Sequence, residues 1–521
     1  MVAIKKSVLK ISFHLFILIV TATTTLAQTY TNPIIHADYS DPDAIRVGDD
    51  YYMTASSFTS VPGLPILHSK DLVHWQLIGY ALKNNQPIEH YKKVQHGAGV
   101  WAPSIRFHNG EFYIFYPDPD FGIYVIKSKN ILRDWSTPKL VLAGKGLIDP
   151  CPLWDKNGKV YLVHAFAGSR AGIKSVLAIK ELNASATEVI DEGQLIYDGH
   201  GIDPTVEGPK LYQRNGWYYV FAPAGGVATG WQIVLRSKNI YGPYERKVVL
   251  EQGASSINGP HQGAWIQTST GQDWFIHFQD KGAYGRITHL QPLFWKNDWP
   301  IIGIDKDGNG IGEPVLTYTM PKVTNQAIPF VQNEALSFQW QANPSTNWRF
   351  KFQDQYRQYA VLLSDSAENL WNFPAMYLQK IPAELFTTTT KINFSSLQIG
   401  ERAGFILMGK SYAAIELLNT GDGLQLNYIE CIDADKKRPE IKIPFMSNAP
   451  RSLYLRMHMD TGAVASFSYS LDGINYVNMN AKFKATPGVW VGAKMGFYCI
   501  SNRVTNDAGF LEIQSFNTQK N

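Results

Sequence analysis

The string Asn215-Gly216-Trp217-Tyr218-Tyr219-Val220 has four relatives elsewhere in the chain: Gly48-Asp49-Asp50-Tyr51-Tyr52-Met53, Asn109-Gly110-Glu111-Phe112-Tyr113-Ile114, Asn157-Gly158-Lys159-Val160-Tyr161-Leu162 and Gly271-Gln272-Asp273-Trp274-Phe275-Ile276. Successive copies start 61, 48, 58 and 56 residues apart. In each, a turn leads into an aromatic-rich run. Asn-Gly between apolar runs signals a tight hairpin, because both central residues of a type I′ turn need positive φ. A second element recurs downstream as Ser69-Lys70-Asp71-Leu72, Ser128-Lys129-Asn130-Ile131 and Ser237-Lys238-Asn239-Ile240, each followed shortly by Trp or Tyr. A period of this length, holding several short strands and few long helical patterns, predicts four-stranded propeller blades. Five of them would span residues 28–320. A β-sandwich of similar length has no reason to repeat at a constant period.

Asp41, Trp101, Asp149, Glu207 and His261 lie 7, 8, 8, 8 and 10 residues before their respective turns. They open the strand that precedes each turn. The innermost strands of a propeller line its central channel, so equivalent positions converge on one mouth. Gathering carboxyl groups raises at least one pKa, and desolvation raises it further. That cost argues for a task. Glycoside hydrolysis needs one carboxyl held protonated for the leaving oxygen and a second, ionised one to activate water. The alternative is that these acids cap turns or bind a structural cation, since Asp-Pro commonly opens turns. Asp38 and Asp43 compete with Asp41 for the base role, and register with Asp149 and Glu207 selects Asp41. Trp101 suits a sugar-stacking platform, with a core role as its rival. His261 reads either as hydrogen-bonded structure or as a support, through water, for Ca²⁺, an ion that itself prefers oxygen ligands.

The chain of 521 residues has a formal net charge of +4 and no long basic run beyond its N-terminus. Nothing resembles the basic stripe of a nucleic-acid binder, so a neutral ligand is expected. Lys5, Lys6 and Lys10, then an apolar stretch from Ile11 to Val20, then Thr25-Leu26-Ala27, read as a signal peptide over residues 1–27. The apolar stretch is about half the length that spans a bilayer. A secreted or periplasmic protein with no membrane contact after cleavage is therefore expected. Three cysteines leave at least one unpaired. Cys431 and Cys499 are candidates to pair if the fold brings them together, and Cys151 reads as a buried free thiol.

The strings Asn32-Pro33-Ile34-Ile35, Asp41-Pro42, Ser57-Phe58, Pro62-Gly63-Leu64-Pro65-Ile66, His68-Ser69-Lys70-Asp71-Leu72-Val73, Trp101-Ala102-Pro103 and Glu207-Gly208-Pro209 together resemble glycoside hydrolase family 43. These are the inverting β-xylosidases, α-L-arabinofuranosidases and arabinanases. The resemblance implies Asp41 as general base, Glu207 as general acid and Asp149 as the residue that tunes and orients the acid. It implies further that Phe58 and Trp101 line the sugar pocket and that Arg286 contacts a sugar hydroxyl. It associates His261 with a central structural Ca²⁺ or its waters, although Asn258-Gly259-Pro260-His261-Gln262-Gly263 departs from the usual xylosidase pattern. No cofactor is required for the chemistry. The implied partner is a plant-cell-wall xylan, arabinoxylan or derived oligosaccharide.

Beyond Pro314 the repeat stops, and residues 321–335 read as a linker. From residue 336 to 521 a new alternating pattern, such as Phe405-Ile406-Leu407-Met408 and Leu453-Tyr454-Leu455-Arg456-Met457, predicts a β-sandwich. Trp340 with Gly400-Glu401-Arg402-Ala403-Gly404 resembles the C-terminal lectin-like sandwich of xylosidase-type members, which packs against the propeller mouth. That favours an exo-acting pentosidase. The competing expectations are an endo-arabinanase with an open groove and a non-catalytic carbohydrate-binding propeller.

Overall fold

The computed structural model describes residues 28–324, 334–363, 367–394 and 396–520. The expected signal peptide lies outside the described residues, as do residues 325–333 of the expected linker.

Five four-stranded antiparallel sheets follow one another along the chain. Blade I comprises Asp43–Val47, Asp50–Thr54, Gly63–Ser69 and Gln76–Leu82. Blade II comprises Ser104–His108, Glu111–Asp118, Gly122–Ser128 and Lys139–Ala143. Blade III holds Leu147–Trp154, Val160–Phe166, Val176–Leu182 and Gln194–Asp198. Blade IV holds Lys210–Arg214, Trp217–Ala224, Trp231–Ser237 and Glu245–Leu250. Blade V holds His261–Gln267, Asp273–Asp280, Arg286–Lys296 and Trp299–Ile302. Asn109-Gly110 and Asn215-Gly216 have positive φ at both residues, as a two-residue I′ turn requires. Asn157-Gly158 does not, because blade III turns through a longer loop in which Asp155 N–H donates to Lys159 O at 2.9 Å.

The aromatic second strand of each blade is buried on both faces. In blade IV, Tyr219 packs toward blade V while its neighbour Val220 packs toward blade III. In blade I, Met53 faces blade V and Tyr52 faces blade II. Side chains alternate across a strand, so a run of large apolar residues serves two interblade layers at once. The ring closes without a shared blade. Met53 and Leu67 meet Ile276 and Leu290, and a ribbon of Thr29–Thr31 with Thr317–Thr319 straps the ends. Asn32 reinforces the strap through both Leu290 backbone groups at 2.8 Å. Between the inner strands, Arg106 bonds Asp43 at 2.6 Å and contacts Cys151 Sγ at 2.7 Å, and Lys210 donates to Ser104 and Pro103. These side chains link blades I to IV.

The C-terminal domain is a sandwich of an eight-stranded and a seven-stranded sheet, with Phe405, Met457, Phe467 and Phe497 in its core. The outer face of the larger sheet is not free to bind. Leu370, Trp371, Phe373 and Met376 cover Ile406, Tyr412 and Ile429 there. Cys431 packs under that cover whereas Cys499 faces the sandwich core, and all three cysteines are free. The fold does not bring Cys431 and Cys499 together, so the condition for their pairing is not met. Their strands lie three positions apart in one sheet, roughly 14 Å, and disulfide geometry requires Cα atoms within about 7 Å.

The two domains are knitted together. Val61 and Trp340 exchange backbone hydrogen bonds at 3.0 and 2.6 Å, His96 stacks on Trp371 at 3.6 Å, and Asn343 bonds Asn85 in both directions.

Candidate active site

The hairpin ladders fix the register of the mouth. Asp43 pairs with Thr54, Ser104 with Phe115, Cys151 with Val163, Lys210 with Phe221 and Gly263 with His277. Two residues ahead of these stand Asp41, Ala102, Asp149, Gly208 and His261. Asp41, Asp149 and Gly208 share φ values of 55, 57 and 57°. Glu207 thus sits one residue before the left-handed position that Asp41 and Asp149 hold, as His261 sits one before Gln262 (φ 36°) and Trp101 one before Ala102, a correction to the common register expected from spacing. The reason is local. At Gly208 a Cβ would stand 2.3 Å from Gln262 Cγ, so blade IV puts glycine there and carries its acid one step earlier. Asp41 and Asp149 hold the same left-handed backbone without glycine's freedom, a strain of order 1–3 kcal/mol that collects at functional sites.

The three acids meet in one cavity of about 280 Å³, whose lining includes Asp41, Phe58, Trp101, Asp149, Glu207 and Arg286. Asp41 is buried, and all its partners are donors: Ser40 Oγ at 3.0 Å, Ser56 Oγ at 2.5 Å and Arg286 Nη1 at 3.3 Å. Asp149 accepts the Gly208 N–H at 2.7 Å, which ties it to the backbone beside Glu207. Burial, then the neighbouring Glu207 charge, push the Asp149 carboxyl up to about 8. The direction of that shift favours the protonated form of Asp149. Glu207, with 31% of its side chain exposed, is the more accessible of the two acids.

His261 Nε2 lies 3.0 Å from Glu207 Oε1, and its buried Nδ1 has no partner. Among the described residues no three His, Cys, Asp or Glu side chains converge as metal ligands. Ca²⁺ takes six to eight oxygens, so neither His261 nitrogen suits it as a direct ligand, and any support that His261 gives such an ion runs through water. The two other acids near Asp41 are engaged elsewhere. Asp43 donates nothing to the mouth and instead accepts Ile105 N–H and Arg106, joining blades I and II. Asp38 accepts Arg286 N–H at 2.9 Å and faces the sandwich.

Phe58 and Trp101 stand 6.4 Å apart on one wall, and the Arg170 guanidinium lies 5.4 Å from the Trp101 ring. Arg170 belongs to the single helical turn Gly168–Ala171, capped by Gly172, and also pairs with Asp120 at 3.3 Å. Arg286, expected to contact a sugar hydroxyl, lines the same cavity. It bridges Ser40 and Asp41 and lies over Phe278 and Trp490. Trp490 lies outside the five repeats, because it comes from the sandwich. Its loop, Pro487-Gly488-Val489-Trp490-Val491-Gly492, brings the ring 6.3 Å from Trp101, edge to face. The residue is 49% exposed with φ 63°. A tryptophan spaced two residues from a glycine on either side, Gly488 and Gly492, is the one signal in the sequence that marks it.

Residues 30–300 match the profile of Glycosyl hydrolases family 43, and residues 332–517 that of the Beta xylosidase C-terminal Concanavalin A-like domain. A putative beta-xylosidase from Xylanibacter ruminicola is 35% identical over 90% of this chain and 86% of its own length. A non-reducing end alpha-L-arabinofuranosidase from Bacteroides ovatus is 29% identical over 77% of each chain. The crystal structure of a xylan beta-1,4-xylosidase from Bacillus halodurans superimposes with a TM-score of 0.82 over 94% of this chain and 100% of that one, at 20% identity, and so speaks for the fold alone. On the match across the whole propeller and the extent of the identity, this chain is a glycosidase that belongs to glycoside hydrolase family 43.

Proposed function

We propose that the protein is an inverting, exo-acting pentosidase that removes terminal xylose from xylan-derived chains. The observation that carries this reading is the three-acid cavity of about 280 Å³ walled on one side by Trp490 of the sandwich, which suits one sugar ring better than a threaded polymer. Glu207 delivers the proton to the leaving oxygen. Asp149 keeps a proton within the pair at neutral pH, and its bond to Gly208 N–H orients the peptide next to Glu207. Asp41, held by Ser40, Ser56 and Arg286, takes a proton from the water that attacks the anomeric carbon from the opposite face. His261 steadies Glu207. Hydrolysis by this route needs no cofactor, so a chelator should leave the rate unchanged.

The test is hydrolysis of p-nitrophenyl β-xyloside, p-nitrophenyl α-L-arabinofuranoside and linear arabinan, with the first product's anomer read by proton NMR. The expected result is release of α-xylose from the β-xyloside. β-Xylose as first product overturns inversion, internal cleavage of arabinan establishes an endo-arabinanase, and inactivity on all three leaves a carbohydrate-binding propeller. Arabinofuranose release is the second reading, favoured by the relative from Bacteroides ovatus. The basic and apolar N-terminal segment supports export to the periplasm or medium. N-terminal sequencing of the mature protein should begin near Gln28.

A further inference from the structure

Asp38 is buried at the seam of the two domains, and its two carboxylate oxygens face different ones. Oδ1 accepts the N–H of Arg286, the residue that holds Asp41, at 2.9 Å. Oδ2 accepts the N–H of Gly492, two residues after Trp490, also at 2.9 Å. The seam is tight on both sides. A Cβ on Gly285 would stand 2.5 Å from Asp38 Cγ, and one on Gly492 would stand 2.7 Å from Gly285 N. Two partly buried sandwich lysines flank the acid: Lys380 Nζ donates to the Asp38 carbonyl, and Lys494 Nζ donates to Ser60 Oγ at 2.5 Å. Burial, then the Lys380 charge, push Lys494 down to about 8, with Asp38 opposing the shift.

We propose that Asp38 is a positioning residue that couples the sandwich wall of the pocket to the general base, by gripping the Trp490 loop with one oxygen and the Arg286 backbone with the other. Arg286 then presents its guanidinium to Ser40 and Asp41 while its other face meets Trp490, so sugar-wall and base geometry are set together. A seam acid that served packing alone would be indifferent to substrate. The inference rests on the pentosidase reading of the mouth.

The test is a double-mutant cycle on p-nitrophenyl β-xyloside, at a temperature where all variants are folded. Asp38→Asn leaves an amide facing one of the two N–H donors. It is expected to raise KM and lower kcat, with kcat/KM falling about ten- to hundredfold. In a Trp490→Ala background the same change should raise KM less than about twofold while kcat still falls, because contacting residues are non-additive. Equal KM effects in both backgrounds overturn the proposal. So does full reproduction of the kinetic loss by Lys380→Met, which removes charge but keeps both amide bonds. If Asp38→Asn does not fold, hydrogen exchange of the wild-type protein decides: amides of the 488–492 and 284–287 segments should exchange together, and independent exchange rejects the clamp. A wild-type enzyme inactive on pentosides would sink the functional reading, while the exchange result would still report on the clamp.

Discussion

Each domain buries a cluster of acids. In the sandwich, Glu416 and Glu440 lie 2.6 and 2.9 Å from Arg402, accept hydroxyls from Tyr498 and Tyr412, and have Lys442 3.7 Å from both. Burial opposes the Arg402 charge, yet the two glutamates more than offset it. At the propeller mouth three acids face one guanidinium, that of Arg286, which is spent on Asp41. There burial, then the uncompensated Glu207 charge, push the Asp149 carboxyl up to about 8. Buried carboxyls with matched cations and hydroxyls are architecture. Those left in excess around a cavity keep a proton available for chemistry.

The sharpest way to break this contrast is to remove the proton donor. Glu207→Gln should cut turnover of xylooligosaccharides about 10²–10⁴-fold, and spare p-nitrophenyl xyloside more, because an activated leaving group needs less protonation. Equal losses on both substrates would deny Glu207 the acid role. In the sandwich, Arg402→Met strands two buried carboxyls and should cost about 3–5 kcal/mol of stability, measured by urea unfolding, while kcat/KM of the folded protein stays within about twofold. A catalytic loss there would erase the distinction between the two clusters. Trp490→Ala is expected to raise KM about tenfold with a smaller change in kcat, consistent with a lost aromatic contact of about 1–1.5 kcal/mol.

Asp149→Asn probes the excess proton through stability. The folded carboxyl keeps its proton up to about 8, whereas the unfolded one releases it from its ordinary 3.8. The contribution of this group to folding is thus complete below 3.8 and lost as pH rises to about 8. The Tm of Asp149→Asn relative to wild type should therefore grow across that window and level off above it. A constant difference would place the proton elsewhere. Smallest of all, dithiothreitol should leave the Tm unchanged, since Cys151, Cys431 and Cys499 are free thiols.

Three neighbouring acids show where sequence reading stops. Asp38, Asp41 and Asp43 differ by two residues each, yet one clamps the domains, one enters the pocket and one joins blades. Spacing chose Asp41, because inner-strand starts must converge on the channel. It offered no means of seeing what the other two meet, since their partners, Gly492 and Ile105, come from other elements.

The amino-acid string by itself determined the hairpins, the blade count and the gathering of Asp41, Asp149 and Glu207. All depend on turn chemistry and side-chain alternation, which are local and periodic. Tertiary structure alone decided that Gly208 displaces Glu207 by one residue, that Cys431 and Cys499 face opposite sides of a sheet, and that Trp490 closes the pocket. These follow from close packing between segments distant in sequence, where the available space, rather than the propensity of any one residue, selects the outcome.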